Sequence, residues 1–105
     1  MKTLRGYDID GVLARPGKKP VDPIQPYVVI SGRTFHEYDY VCKAMARYAP
    51  VYIRGTGKFG DAEAAGQFKA RMIQLLGVTE FYEDDPRQAE IIEESCPLVK
   101  VILVK

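Results

Sequence analysis

Short apolar runs alternate with stretches of helical period along the whole chain, and this alternation limits the possible folds more than any other feature. Residues 7–13, 27–30, 51–54, 78–83 and 99–104 read as strands, rich in Val, Ile and Tyr and bounded by turn residues. From Thr34 the spacing becomes helical, with Phe35, Tyr38, Val41, Cys42, Met45 and Tyr48 recurring three or four apart. Ser31 or Thr34 caps that helix, and Glu37 completes a capping box with Thr34. Asp61 opens a second helix that carries Ala65, Phe68, Met72, Leu75 and Leu76 on one face, and Gly77 stops it. Pro86 suits the first turn of a third helix running through Ile91, Ile92 and Cys96 to the breaker Pro97. Residues 14–26 hold four prolines and no apolar period, so they form a loop.

Strands separated by helices predict an α/β domain of three-layer, Rossmann-like form, with a five-stranded, mainly parallel sheet flanked by helices. The 105 residues suffice for a single domain, 1–105, and show no linker, repeat or low-complexity segment. A hydrophobic share of 47% with 28% charged residues excludes a disordered chain. The formal net charge of +1 gives no overall pull toward nucleic acid or anionic lipid, so any anion must be held by locally placed charge. No apolar run approaches the roughly 20 residues that span a bilayer, so no membrane partner is expected. Asp8 and Asp10 interrupt the N-terminal apolar patch, which does not read as a secretory signal, and a cytoplasmic location is expected. Nothing indicates an oligomer. Cys42 and Cys96 form no metal-like pair and read as reduced core residues; the lone His36 builds no zinc site with them.

Open parallel sheets bind ligands at the carboxyl ends of their strands. Asp8 with Asp10, Ser31, and Asp84 with Asp85 all fall at such ends. Carboxylates held this close need a cation, a shared proton or strong hydrogen bonds. As hard oxygen donors they suit Mg²⁺, which takes a few carboxylates together with phosphate oxygens and water. Ser31 and amides near a helix start suit phosphate oxygens, and Lys69 adds a compact positive charge if its helix faces the same mouth.

Four segments in order resemble the motifs of the haloacid dehalogenase superfamily, whose members are mostly Mg²⁺-dependent phosphatases. They are YDIDGVL, YVVISGR, the Lys69 segment QFKARMIQLLG, and FYEDDP. The resemblance spans nearly the whole chain. It implies that Asp8 is the nucleophile forming an aspartyl-phosphate and that Asp10 is the acid and then the base. It further implies a Mg²⁺ held by Asp8, the Asp10 carbonyl and Asp84, with Asp85 in support directly or through water. Ser31, Gly32 and Lys69 would hold the phosphoryl oxygens. The implied strand order is fifth, fourth, first, second, third, which puts the ends carrying Asp8 and Asp84 side by side.

The chain also departs from the family pattern. Both gaps where a cap domain is often inserted are too short for one, so an open, capless site is expected, and with it a bulky or polymeric phosphate ester or a neighbouring subunit as lid. Lys58, in the adjacent glycine loop, competes with Lys69 for the phosphate-binding role. Arg15, Lys18 and Lys19 are placed either to grip an anionic substrate or merely to solvate their loop. Arg33 is similar to an arginine of the family's polynucleotide 3′-phosphatases, which leaves the phosphorylated partner open between a small molecule and a nucleic-acid end. Gly55, Gly57 and Gly60 match a dinucleotide fingerprint in spacing but follow the third strand rather than the first, and read as a turn. Tyr38, Tyr40 and Tyr48 read as packing residues rather than base-stacking platforms. The principal alternative to a phosphohydrolase is a non-catalytic phosphate-binding or regulatory module. A receiver-type phosphoacceptor domain would need an acid where this chain has Arg54-Gly55.

Overall fold

The computed structural model describes residues 2–58 and 60–105. Its five strands are β1 (Arg5–Tyr7), β2 (Tyr27–Thr34), β3 (Val51–Gly55), β4 (Glu80–Glu83) and β5 (Lys100–Leu103). The helices are α1 (Tyr40–Met45), α2 (Ala62–Leu76) and α3 (Pro86–Ser95). The strands form one sheet in the order β3-β2-β1-β4-β5, and every pairing is parallel. The expected α/β class and strand order are both found. No helix among the described residues is long and apolar enough to cross a membrane.

Period-two alternation sorts the strand side chains into two cores. Val28, Ile30 and Phe81 pack beneath Ala70 and Ile73 of α2 and Ile92 of α3. Val29, Val51 and Ile53 face the other way, onto Ile9, Cys42 and Met45. One face is thus covered by two full helices, the other by the six-residue α1 and the turn after β1. Cys42 and Cys96 are buried and free.

Several expected boundaries shift. The first strand ends at Tyr7, and residues 9–14 instead turn: the amides of Val12, Leu13 and Ala14 all donate to the Ile9 carbonyl. Ile9 and Val12 are apolar because this turn is buried, not because it is extended. The helix expected from Thr34 to Tyr48 is broken. The Thr34 amide donates to Glu37 Oε1 around a single 3₁₀ turn (Phe35–Glu37), after which Asp39 caps α1 by accepting from the amides of Val41 and Cys42. Two caps within six residues reset the helical phase, so the expected packing stripe does not form. Phe35, Tyr40 and Tyr48 are 68%, 83% and 70% exposed, so none of the three is a core residue. On α2 the buried stripe is Ala65, Gly66, Lys69, Ala70 and Ile73, and Leu75 lies outside it in solvent.

Candidate functional site

The parallel register brings the acids together. Tyr7 of β1 pairs with Tyr82 of β4, and the Asp8 amide donates to the Tyr82 carbonyl at 3.1 Å, so the next residues, Asp8 and Glu83, stand side by side. Alternation turns both toward α2. There Lys69 Nζ lies 3.1 Å from Asp8 Oδ2 and 2.6 Å from Glu83 Oε1. All three side chains are buried. The lysine reaches them because it lies on the sheet-facing stripe of α2, one turn after Ala65. A Cβ on Gly32 would sit 2.7 Å from Ala65 Cβ, so only glycine lets the helix approach β2 this closely.

Asp8 Oδ1 accepts from the Ile9 amide at 2.8 Å. Glu83 Oε2 accepts from the amides of Asp84 and Asp85 at 3.1 and 3.2 Å. Both oxygens of Glu83 are therefore engaged by donors. Asp84 is held against Gly11, whose φ of +80° belongs to glycine; a Cβ there would meet Asp84 Oδ2 at 1.9 Å. Carboxylate oxygens of Asp8, Glu83 and Asp84 all lie within 4.8 Å of one another.

Two carboxylates share one ammonium while a third, Asp84, stands beside them, and their proton affinities reflect it. Burial raises Asp8 above the usual carboxylate range although Lys69 opposes it. Burial likewise carries Glu83 up to about 7, with Lys69 pulling down and Asp8 pushing up. Asp84 is raised by burial and by Glu83. For Lys69, burial disfavours the charge, but Asp8 and Glu83 outweigh it and the amine is held above its ordinary value. The surplus negative charge is what a divalent cation neutralises. The donor set fits Mg²⁺, a hard cation that takes carboxylate oxygens, since such oxygens from two adjacent strand ends lie within 4.8 Å of one another. Asp8 and Asp84 face the cavity; Glu83 lies behind them, occupied by Lys69 and two amides.

The cavity, about 440 Å³, is lined by Asp8, Asp10, Gly32, Arg33, Lys69 and Asp84 among others. Asp10 is exposed and held by Arg33 through two bonds, Nη2 to Oδ1 at 2.9 Å and Nε to Oδ2 at 3.1 Å. Arg33 also donates to Asp39 Oδ1 and the Glu37 carbonyl, and Asp10 first, with Asp39 behind it, raises its already high pKa. Asp85 borders the cavity, but its Oδ1 caps α3 by accepting from Arg87 and Gln88 amides, and its Oδ2 accepts from Gln88 Nε2.

Three residues singled out from the sequence stand apart from this cavity. Ser31 is fully buried and its Oγ accepts from the Arg33 amide, so the hydroxyl shapes the strand end. Arg15 donates to the carbonyls of Lys19 and Lys105, pinning the proline-rich loop to the end of β5. Lys58 presents its carbonyl to Arg54 Nη2. Lys69, not Lys58, lines the cavity. Two residues were not anticipated. Glu83 shares its strand face with Phe81, and that parity was the available signal. Arg54 borders the cavity and ties the glycine loop to Gly32 by donating to the carbonyls of Gly32, Thr56 and Lys58. Comparison with protein-family models, curated proteins and solved structures finds no match to this chain.

Proposed function

We propose that this chain is a Mg²⁺-dependent phosphohydrolase of the haloacid dehalogenase type, acting on phosphate monoesters through an aspartyl-phosphate. The observation that carries the reading is the buried Asp8 at the end of β1, sharing Lys69 with Glu83 while Asp84 converges from the neighbouring strand. Asp8 and Asp84 would hold the ion, which supplies positive charge that lets an anionic nucleophile approach an anionic phosphate. Asp8 forms the bond to phosphorus as the ester oxygen leaves, and Asp10 gives that oxygen its proton. A water then attacks phosphorus, giving its proton back to Asp10, and the Asp8–phosphorus bond breaks to release phosphate. Lys69 steadies Asp8 and offers charge to the transferring group, and Glu83 holds the ammonium in place. Both Asp10 oxygens are engaged by Arg33, so the proton transfers require one of them to turn into the cavity. That engagement favours a second reading, a module that binds phosphate without turning it over.

Release of inorganic phosphate from an aryl phosphate tests the proposal. Turnover in Mg²⁺ that disappears in Asp8→Asn and on chelation is expected. A folded, Mg²⁺-loaded wild type that is inert across a broad ester panel overturns it, and tight phosphate binding without turnover would establish the second reading.

A further inference from the structure

The aromatic side chains just beyond Arg33 are where the packing scheme and the structure differ most. Phe35, Tyr38 and Tyr40 are 68%, 44% and 83% exposed, all within six residues of the carboxyl end of β2. The same short stretch supplies Arg33 and Glu37 to the wall of the cavity. Three large rings exposed within six residues of chain forfeit burial and offer apolar surface to a partner. Phe35 is also braced. Its ring lies over Gly55, where a Cβ would be 2.9 Å from Cζ, so it stands as a supported plate with much of its surface in water.

Charge is distributed unevenly across the sheet. Residues 27–58, which build β2, β3 and α1, carry five Lys or Arg against two acids, a net +3, or +2 once Asp10, bound to Arg33, is counted. Lys43, Arg47 and Lys58 are the exposed ones, and Lys43 follows Tyr40 by three residues on α1. Residues 78–105, which build β4, α3 and β5, carry three against seven, a net −4. An anionic polymer reaching the cavity is repelled from the α3 side and drawn across the side that bears the exposed rings. Rings that accept a flat partner, on the basic flank of an open cavity, match the backbone charge and bases of a single strand.

We infer that the β2–β3 rim is a track for single-stranded nucleic acid, with bases stacking on Phe35 and Tyr40. Resting on the phosphohydrolase reading, the ester at Asp8 is then a terminal phosphate of an oligonucleotide rather than a small sugar phosphate. Duplex is excluded from the track because its bases are already stacked on one another.

Fluorescence anisotropy of a labelled single-stranded octamer lacking any terminal phosphate, in chelator, tests the track in an assay blind to hydrolysis. Wild type is expected to bind, with affinity falling as salt rises. Tyr40→Ala is expected to weaken binding about tenfold and Tyr40→Phe to restore it. Phe35→Ala should act likewise, with circular dichroism confirming its fold. No binding at 100 μM protein, equal binding of the matched duplex, or Tyr40→Ala binding as wild type each overturns the track. So does self-association that Tyr40→Ala abolishes in a protein that ignores the octamer. Failure here leaves the aryl-phosphate assay standing, and an inert enzyme that still binds the octamer through Tyr40 removes the hydrolase instead.

Discussion

Replacing Lys69 by Met keeps much of the side chain's volume and removes its charge, which isolates what the ammonium does for Asp8 and Glu83. At contacts of 3.1 and 2.6 Å, the pairings are gross attractions of roughly 5–6 kcal/mol each at an effective dielectric near 20. Removing three buried ions from water costs several kcal/mol apiece, so the intact triad is close to neutral for stability. Its loss is not neutral, because two carboxylates are left buried without a counter-charge. The expected cost is about 3–5 kcal/mol at pH 8 in chelator, a large share of the roughly 5–15 kcal/mol available to a domain of this size. The cost should shrink at pH 5, because Glu83, already pushed up to about 7 by burial, takes a proton and removes one of the unpaired charges. Urea melts followed by far-ultraviolet circular dichroism measure it. The double variant Lys69→Met/Glu83→Leu should be more stable than the single one, since an apolar pair replaces an ionic one. A Lys69→Met protein within about 0.5 kcal/mol of wild type at pH 8 would refute the idea that the lysine compensates buried acids.

Three further expectations follow from the same geometry. In metal-free wild type, Glu83 binds its proton more tightly folded than unfolded, so its contribution is present below pH 4.5 and is lost as pH rises toward about 7. At about 1.4 kcal/mol per pH unit this amounts to at most about 3.5 kcal/mol, and melts across pH 4.5–8 with and without Mg²⁺ should show the ion restoring stability at the upper end. Gly11→Ala places a Cβ into Asp84 and forces a left-handed residue, costing about 1–2 kcal/mol; calorimetric Mg²⁺ titration should show weaker binding, and unchanged binding would count against Asp84 as a ligand. Asp85→Asn keeps a good helix cap and should leave Mg²⁺ binding near wild type, whereas Asp84→Asn should abolish it; equal losses in both would assign Asp85 to the ion.

Local chemistry made some parts of the chain readable in advance. α2 begins and ends where Asp61 and Gly77 said it should: Asp61 accepts from the Ala64 amide, and Gly77 adopts a φ of 73°. Asp8 and Asp84 converge because β1 and β4 are parallel neighbours in register. The alternation of elements foretold the parallel direction, and only the family resemblance implied that these two strands are neighbours. Other parts depend on tertiary contacts. In Glu83-Asp84-Asp85 the three acids look alike in sequence; strand parity with Phe81 turns the first inward to Lys69, while the end of β4 leaves the second at the cavity and gives the third to the helix amides. The break at Asp39 was hidden because an apolar period continues across it; competition between Thr34 and Asp39 as caps decides the matter, and periodicity does not register caps. Lys69 stood out in sequence through its motif, on the condition that its helix faces the mouth of the site; the small residues Ala65, Gly66 and Ala70 mark the side of α2 that nearly touches the sheet, and Lys69 lies on it.

The two faces of the sheet differ in how firmly they are roofed. Lys69 arrives from the heavily built side, on a fifteen-residue helix braced by α3, whereas Asp8 and Asp10 lead into a turn backed by six residues of α1 and a proline-rich loop. Local opening is cheapest where few apolar contacts oppose it, so the cavity lies on the seam between a stiff wall and a pliant one. On the phosphohydrolase reading, Asp10 and Arg33 would thus have room to move as an ester enters, while Lys69 keeps its place.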